Sequence, residues 1–233
     1  MTRLDKLIAD SGAASRSEAK NLIREGRVSV NGTPARSAED KYDEKNVNIW
    51  IDGESINCSK FRYILLHKPN GVLSATEDPK QETVIDLLPK ELRKLGLFPV
   101  GRLDKDTTGL LILTNDGDYA HRVISPKHHV AKRYRAAVDG VLDESDVAAF
   151  AQGLVLSDGL ECLPAELEIE RPSVGVVTVY EGKYHQVKRM FASRGKHVTA
   201  LHRISVGALT LPGDLAAGGY REMQIDEAEL VFE

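Results

Sequence analysis

The stretch Gly101-Arg102-Leu103-Asp104-Lys105-Asp106-Thr107-Thr108-Gly109-Leu110-Leu111-Ile112-Leu113-Thr114-Asn115-Asp116-Gly117 changes character halfway along. A polar loop bounded by Gly101 and Gly109 runs straight into the apolar segment Leu110 to Leu113, which Asn115, Asp116 and Gly117 then close. Read this way, two carboxylates stand at the mouth of a buried strand, and such a strand can hold a reactive loop still. Composition alone also allows a plain turn whose Asp side chains bond their own backbone. The glycines lack the spacing of a Walker or dinucleotide-binding loop.

Outward from this segment the chain from Arg62 onward alternates short apolar runs with Gly, Pro, Asn and Asp punctuation. Strands are predicted at Tyr63 to Leu66, Val72 to Ala75, Leu110 to Leu113, Tyr134 to Val138, Leu163 to Ile169, Val174 to Tyr180 and Val198 to Leu201. Helices are predicted at Val84 to Leu95, Asp118 to Ile124, Glu144 to Ala151 and Tyr184 to Arg194. Consecutive strands broken irregularly by helices point to an α+β fold with a mainly antiparallel or mixed sheet.

The N-terminal quarter reads as a separate, small, helix-rich unit. Ser15-Arg16-Ser17-Glu18 has the capping-box pattern, Ala19, Leu22 and Ile23 form an apolar stripe, and Gly26 ends the helix. Arg16, Lys20, Arg24 and Arg27 stack on another face. Val28-Ser29-Val30 reads as a strand entering an Asn31-Gly32 hairpin turn. The acidic stretch Ser37 to Lys60, with one strand at Val47 to Ile51, is expected to be the linker, giving domains 1–59 and 60–233.

Charge is distributed very unevenly over these 233 residues of net charge -4. Residues 1–36 hold seven Lys/Arg against four Asp/Glu, while 121–135 hold five and 183–203 six with no acid at all. Segments 37–59 and 214–233 are acidic. Basic stretches interleaved with Tyr119, Tyr134, Tyr184 and Phe191 suit a polyanion bearing stackable bases. No apolar run approaches the length of a membrane span, and Arg3 and Asp5 interrupt the start where a signal peptide would be apolar. Cys58 and Cys162 support neither a disulfide framework nor a zinc site, so a cytoplasmic protein is expected.

Four ordered motifs carry a specific resemblance. Lys68-Pro69-Asn70-Gly71, the Gly101–Leu111 segment, Lys132-Arg133-Tyr134, and Glu181-Gly182-Lys183-Tyr184-His185-Gln186-Val187-Lys188-Arg189-Met190 resemble, in order, the motifs of RNA pseudouridine synthases. Arg3 to Ile8, Ser15 to Ala19 and Gly26 to Gly32 resemble an S4-type RNA-binding domain. That start, together with Ser125-Pro126-Lys127-His128-His129, is similar to RsuA-type members, which modify small-subunit ribosomal RNA.

The resemblance implies isomerisation of a uridine, in 16S ribosomal RNA at uridine 516 for the RsuA type, without cofactor or metal. It places Asp104 at the catalytic aspartate position, acting as nucleophile at ribose or base, or as base and electrostatic partner. Lys188 falls at the basic position paired with the aspartate, Tyr134 at the stacking tyrosine and Leu201 at an apolar residue beside the base. Arg102 and Arg189 are expected to hold phosphates or the flipped nucleotide, and His185 and Gln186 to contact RNA or brace the loop. Arg3, Arg16, Lys20, Arg24 and Arg27 are expected to bind RNA.

The expected partner is ribosomal RNA, naked or in an assembling small-subunit particle, met by a monomer with no membrane involved. Three alternatives stand beside this: a large-subunit ribosomal RNA synthase, a noncatalytic S4-domain RNA-binding protein, and a hydrolase using Asp104 and Asp106 as paired carboxylates. An intact Asp104, Tyr134 and Lys188 set argues against the noncatalytic reading.

Overall fold

A computed structural model describes residues 1–44 and 46–233. It divides into two compact units, one of Met1–Arg62 with Leu88–Leu97 and the other of Tyr63–Leu87 with Phe98–Glu233.

In the first unit, β1 (Thr2–Arg3) leads into α1 (Leu4–Asp10) and α2 (Arg16–Arg24). The predicted capping box is present: Ser15 Oγ accepts from Glu18 N at 3.3 Å, and Glu18 Oε2 accepts from Ser15 N at 2.7 Å. Strands β2 (Val28–Val30) and β3 (Thr33–Pro34) form the predicted hairpin, with Asn31 and Gly32 both at positive φ as a two-residue turn demands. The stretch Ser37 to Lys60 is a correction to the sequence reading. It is built into this unit, β4 (Lys41–Tyr42) pairing with β1, and β5 (Ile49–Ile51) lying between β2 and β6 (Glu54–Ile56). Polar composition hid a second hairpin there, whose turn is Asp52-Gly53, again at positive φ.

Leu4, Leu7, Ile8, Ala19, Ile23, Val28, Val30 and Ile49 close the core of this unit. The segment Leu88–Leu97 packs with it and contains only one turn of helix, α3 (Lys90–Arg93), where Val84 to Leu95 was expected to be helical. Pro89 explains the difference: it starts the helix, and the residue before a proline is steered out of helical conformation. Upstream, Val84 N instead donates to Leu73 O, and Leu73 bridges Thr83, so Val72 to Ala75 joins a small loop pairing and not the main sheet.

The second unit is built on one sheet of nine strands. These are β7 (Tyr63–Lys68), β8 (Phe98–Pro99), β9 (Thr108–Thr114), β10 (Lys132–Asp139), β11 (Glu166–Arg171), β12 (Val174–Val179), β13 (His197–Val206), β14 (Leu209–Thr210) and β15 (Tyr220–Met223). The main path runs β11-β12-β10-β13-β9-β7-β15, with β8 on β9 and β14 on β13. Helices α4 (Gly117–Ile124), α5 (Glu144–Gln152), α6 (Gln186–Ser193) and α7 (Ile225–Glu229) complete the unit.

All of these pairings are antiparallel except β9 with β13, a short parallel ladder of His202↔Thr108 and Arg203↔Gly109. There the backbones nearly touch. A Cβ on Gly109, whose φ is +107°, would lie 2.2 Å from Arg203 O, so only glycine fits this crossing. Two hydrophobic clusters flank it. Leu65, Leu110, Ile112, Tyr119 and Val206 belong to one, and Ala136, Phe150, Val177, Phe191 and Leu201 to the other.

Candidate functional site

The loop between Gly101 and Gly109 is clamped from two sides. Lys68, at the end of β7 and fully buried, donates from Nζ to the carbonyls of Pro69 (3.0 Å), Lys105 (3.1 Å) and Thr107 (2.9 Å). Burial pushes its ammonium down to about 8, against the pull of Asp106 and Asp104. On the other side Ser74 Oγ donates to Leu103 O at 2.9 Å and accepts from Leu103 N at 3.1 Å. Gly71 N adds a bond to Lys105 O. The Lys-Pro-Asn-Gly motif therefore holds the loop's backbone in place, a role that its sequence position alone did not reveal.

From across the sheet, α6 brings the partner of this loop. Its first turn is set by the segment before it: buried Glu181 accepts from Leu163 N (3.0 Å) and Gln186 Nε2 (2.7 Å) and pairs with Lys183 at 2.7 Å. Gln186 Oε1 in turn accepts from Lys183 N at 3.0 Å. His185 takes φ +48° at the helix start, stacks on exposed Tyr184 and puts Nε2 3.3 Å from Asp104 Oδ1.

Lys188 then bridges both carboxylates, 2.9 Å from Asp104 Oδ2 and 2.6 Å from Asp106 Oδ1. Burial opposes the charge on Lys188, but its hydrogen bonds to Asp106 and Asp104 outweigh that and raise its pKa. The Lys188 hydrogen bond likewise holds Asp106 below its ordinary value.

Asp104 opens onto a cavity also lined by Arg102, Tyr134, His185, Gln186 and Leu201. Tyr134 reaches it from β10 at a register shift against β13 between Arg133 and Tyr134, a bulge of the kind that re-aims a side chain. Leu201 forms an apolar wall from β13. Arg102 is exposed and makes no hydrogen bond or ion pair among the described residues. Thr107 also lines the cavity, and its buried hydroxyl has no partner among the described residues. Sequence reasoning passed over Thr107, although its fixed place three residues after Asp104 was the available signal.

Not every predicted residue is brought here. Arg189 points away, 2.5 Å from Asp158 and donating to Tyr184 O, and lines neither this cavity nor its neighbours. Gln186 faces the cavity, but its amide is engaged by Glu181 and Lys183.

In the first unit, Arg3 is bound to buried Asp5 and to Glu39, and Arg27 to Asp52 and Glu25, so each guanidinium has carboxylate partners within the protein. Arg16 also touches Asp5 at 3.4 Å. Lys20 and Arg24 do line an open groove, joined by Arg36, which the helical spacing could not include. Reversing Lys20 and Arg24 together to Glu, while sparing Arg16 because of Asp5, is expected to weaken RNA binding. Its log-log salt slope should fall by roughly 1.5, as two phosphate contacts are lost; titration at four salt concentrations measures it, and an unchanged slope would return this face to solvent.

Comparisons with known proteins show the family of the chain. Residues 62–193 match the RNA pseudouridylate synthase family and residues 2–47 the S4 domain. The chain is 42% identical to an uncharacterized RNA pseudouridine synthase of Bacillus subtilis, over 99% of this chain and 98% of that one. It is 40% identical to the ribosomal small subunit pseudouridine synthase A of Escherichia coli, over 97% of each. A crystal structure of a pseudouridylate synthase superposes with a TM-score of 0.70 at 36% identity, covering 99% of this chain and all of the other. The chain belongs to the RNA pseudouridylate synthase family and carries an S4 domain.

Among the described residues, no helix is long and apolar enough to cross a membrane.

Proposed function

We propose that this pseudouridine synthase isomerises one uridine of small-subunit ribosomal RNA, the counterpart of uridine 516, with Asp104 as the catalytic carboxylate. The observation that carries the reading is the placement of Asp104 at a cavity shared with Tyr134, Leu201 and Arg102, with Lys188 2.9 Å from its carboxylate. The full-length likeness to small-subunit enzymes supports the choice of RNA. The protein acts as a monomer in the cytoplasm, on RNA that is free or part of an assembling particle.

The reaction breaks the C1'–N1 bond, turns the uracil and joins C1' to C5; C5 gives up a proton and N1 gains one, so no co-reactant is consumed. An ionised Asp104 serves this either by attacking the sugar or base, or by facing positive charge as the glycosidic bond opens. Lys188, 2.9 Å away, aims that carboxylate. A stacked uridine hides its glycosidic bond, so the nucleotide leaves the stack and its base lies against Tyr134, with Leu201 as the dry wall.

Mapping pseudouridines in ribosomal RNA from cells lacking the protein tests the proposal. One small-subunit site should be lost, and regained with the wild-type gene but not with Asp104→Asn. Loss at a large-subunit site would overturn the target, and an unchanged map the reaction. Tyr134→Ala should slow single-turnover modification by about 5- to 150-fold, the worth of one stacked base. Tyr134→Phe should retain RNA affinity. A normal rate in Tyr134→Ala would return Tyr134 to the sheet core.

A further inference from the structure

Across Tyr134 from the Asp104 cavity lies a second one of about 110 Å3, and the two share Arg102, Tyr134 and Gly182 as a common wall. Its remaining lining combines apolar side chains, Val123 and Val206 among them, with the cations Lys132 and Arg203. No acidic residue lines it. Among the described residues no carboxylate pairs with Arg102, Lys132 or Arg203.

Arg203 is 4% exposed. Its Nε donates to Leu110 O at 2.7 Å and its Nη1 to Tyr134 OH at 3.4 Å. A guanidinium has five N–H groups, so three of them have no partner among the described residues, on a side chain that lines the cavity. Lys132 donates to Val130 O at 2.8 Å and keeps two more. Burial, and after it the charge of Arg203, push the Lys132 ammonium down to about 8. A buried guanidinium and a half-buried ammonium with no carboxylate beside them are costly to the folded protein, and an anion that meets both offsets the cost.

The occupant follows from what adjoins the cavity. A nucleotide whose base lies against Tyr134 carries a phosphodiester within one sugar's length on either side, and the shared wall leads from one cavity to the other. We infer that the second cavity holds a backbone phosphate flanking the target uridine, bound by Arg203 and Lys132. This rests on the uridine occupying the Asp104 cavity as proposed above. The phosphate makes charge-assisted hydrogen bonds to both cations and fixes the register of the strand, while the first cavity handles the base.

The test uses the full-length chain carrying Asp104→Asn, so that RNA binds without turnover. The ligand is an RNA oligonucleotide containing the target uridine, with a neutral methylphosphonate replacing the phosphate on its 5' side or its 3' side. Lys132→Met and one of the two methylphosphonates should each weaken binding about tenfold, and together no more than either alone, the mark of two groups that touch. Lys132→Arg should restore affinity for the all-phosphate RNA. Lys132 is chosen over Arg203 because Arg203 also bonds the backbone of β9.

Unchanged RNA affinity in Lys132→Met, or losses that multiply at both flanking positions, would overturn the inference. So would a Lys132→Met protein that loses only competition by inorganic phosphate, since the site would then serve a small anion. The wild-type isomerisation assay separates the two levels. If the proposed function fails, wild-type protein makes no pseudouridine; if only this inference fails, it does so and Lys132→Met matches its KM.

Discussion

Asp104→Asn is expected to leave RNA bound and the uridine unchanged, with the single-turnover rate down at least about 10⁴-fold, the scale on which loss of a covalent or charge-bearing catalytic group is felt. The structure makes this a clean substitution. Asn keeps the shape of Asp, its amide oxygen still accepts from Lys188, and Lys188 retains its 2.6 Å contact with Asp106. The loop itself hangs on Lys68 and Ser74 through backbone bonds that the change does not touch. RNA affinity should therefore stay within about twofold. A variant that isomerises at even a tenth of the normal rate would remove Asp104 from the chemistry.

Lys188→Met should follow at about 10² to 10³-fold in rate, the range for removing one preorganised electrostatic partner. It strips the positive charge from two carboxylates at once, since Lys188 bridges Asp104 and Asp106. His185, 3.3 Å from the other oxygen of Asp104, is left as the nearest polar neighbour and limits the loss. Lys188→Arg should recover much of the rate because the charge returns. The pair of variants is measured at saturating protein so that binding drops out, and a Lys188→Met rate within about threefold of wild type would show that the bridge is not used.

The parts of the molecule visible in the sequence are those whose signal is local. A capping box, an Asn-Gly turn and short β-branched runs each declare themselves within a few residues, and the corresponding elements stand where expected. The Gly101–Gly117 segment combined a loop and a strand, and the loop-then-strand arrangement is present, ending in β9. What was not legible depended on partners far along the chain. Arg3, Arg27 and Arg189 count as free cations in any tally of charge, yet each is taken up by a carboxylate. The polar stretch Ser37 to Lys60 reads as a linker because two of its three strands, β4 and β6, lie at sheet edges, where few apolar residues are needed. Lys68 and Glu181 were read only as motif letters; their work is to satisfy backbone groups and a helix turn elsewhere.

The parallel ladder between β9 and β13 is only two residue pairs long, and it separates two hydrophobic clusters that each anchor part of the cleft. Asp104 arrives on the loop that leads into β9, whose Leu110 and Ile112 belong to one cluster, while Lys188 and Tyr134 arrive on elements packed against the other. The cleft is thus a seam. The 2.9 Å contact of Asp104 with Lys188 is made across that seam, so hydrogen exchange at the amides of Thr108, Gly109 and Arg203 should report how firmly its two sides are held. Gly109 lets the seam close to backbone contact, because any side chain there would collide with the carbonyl of Arg203.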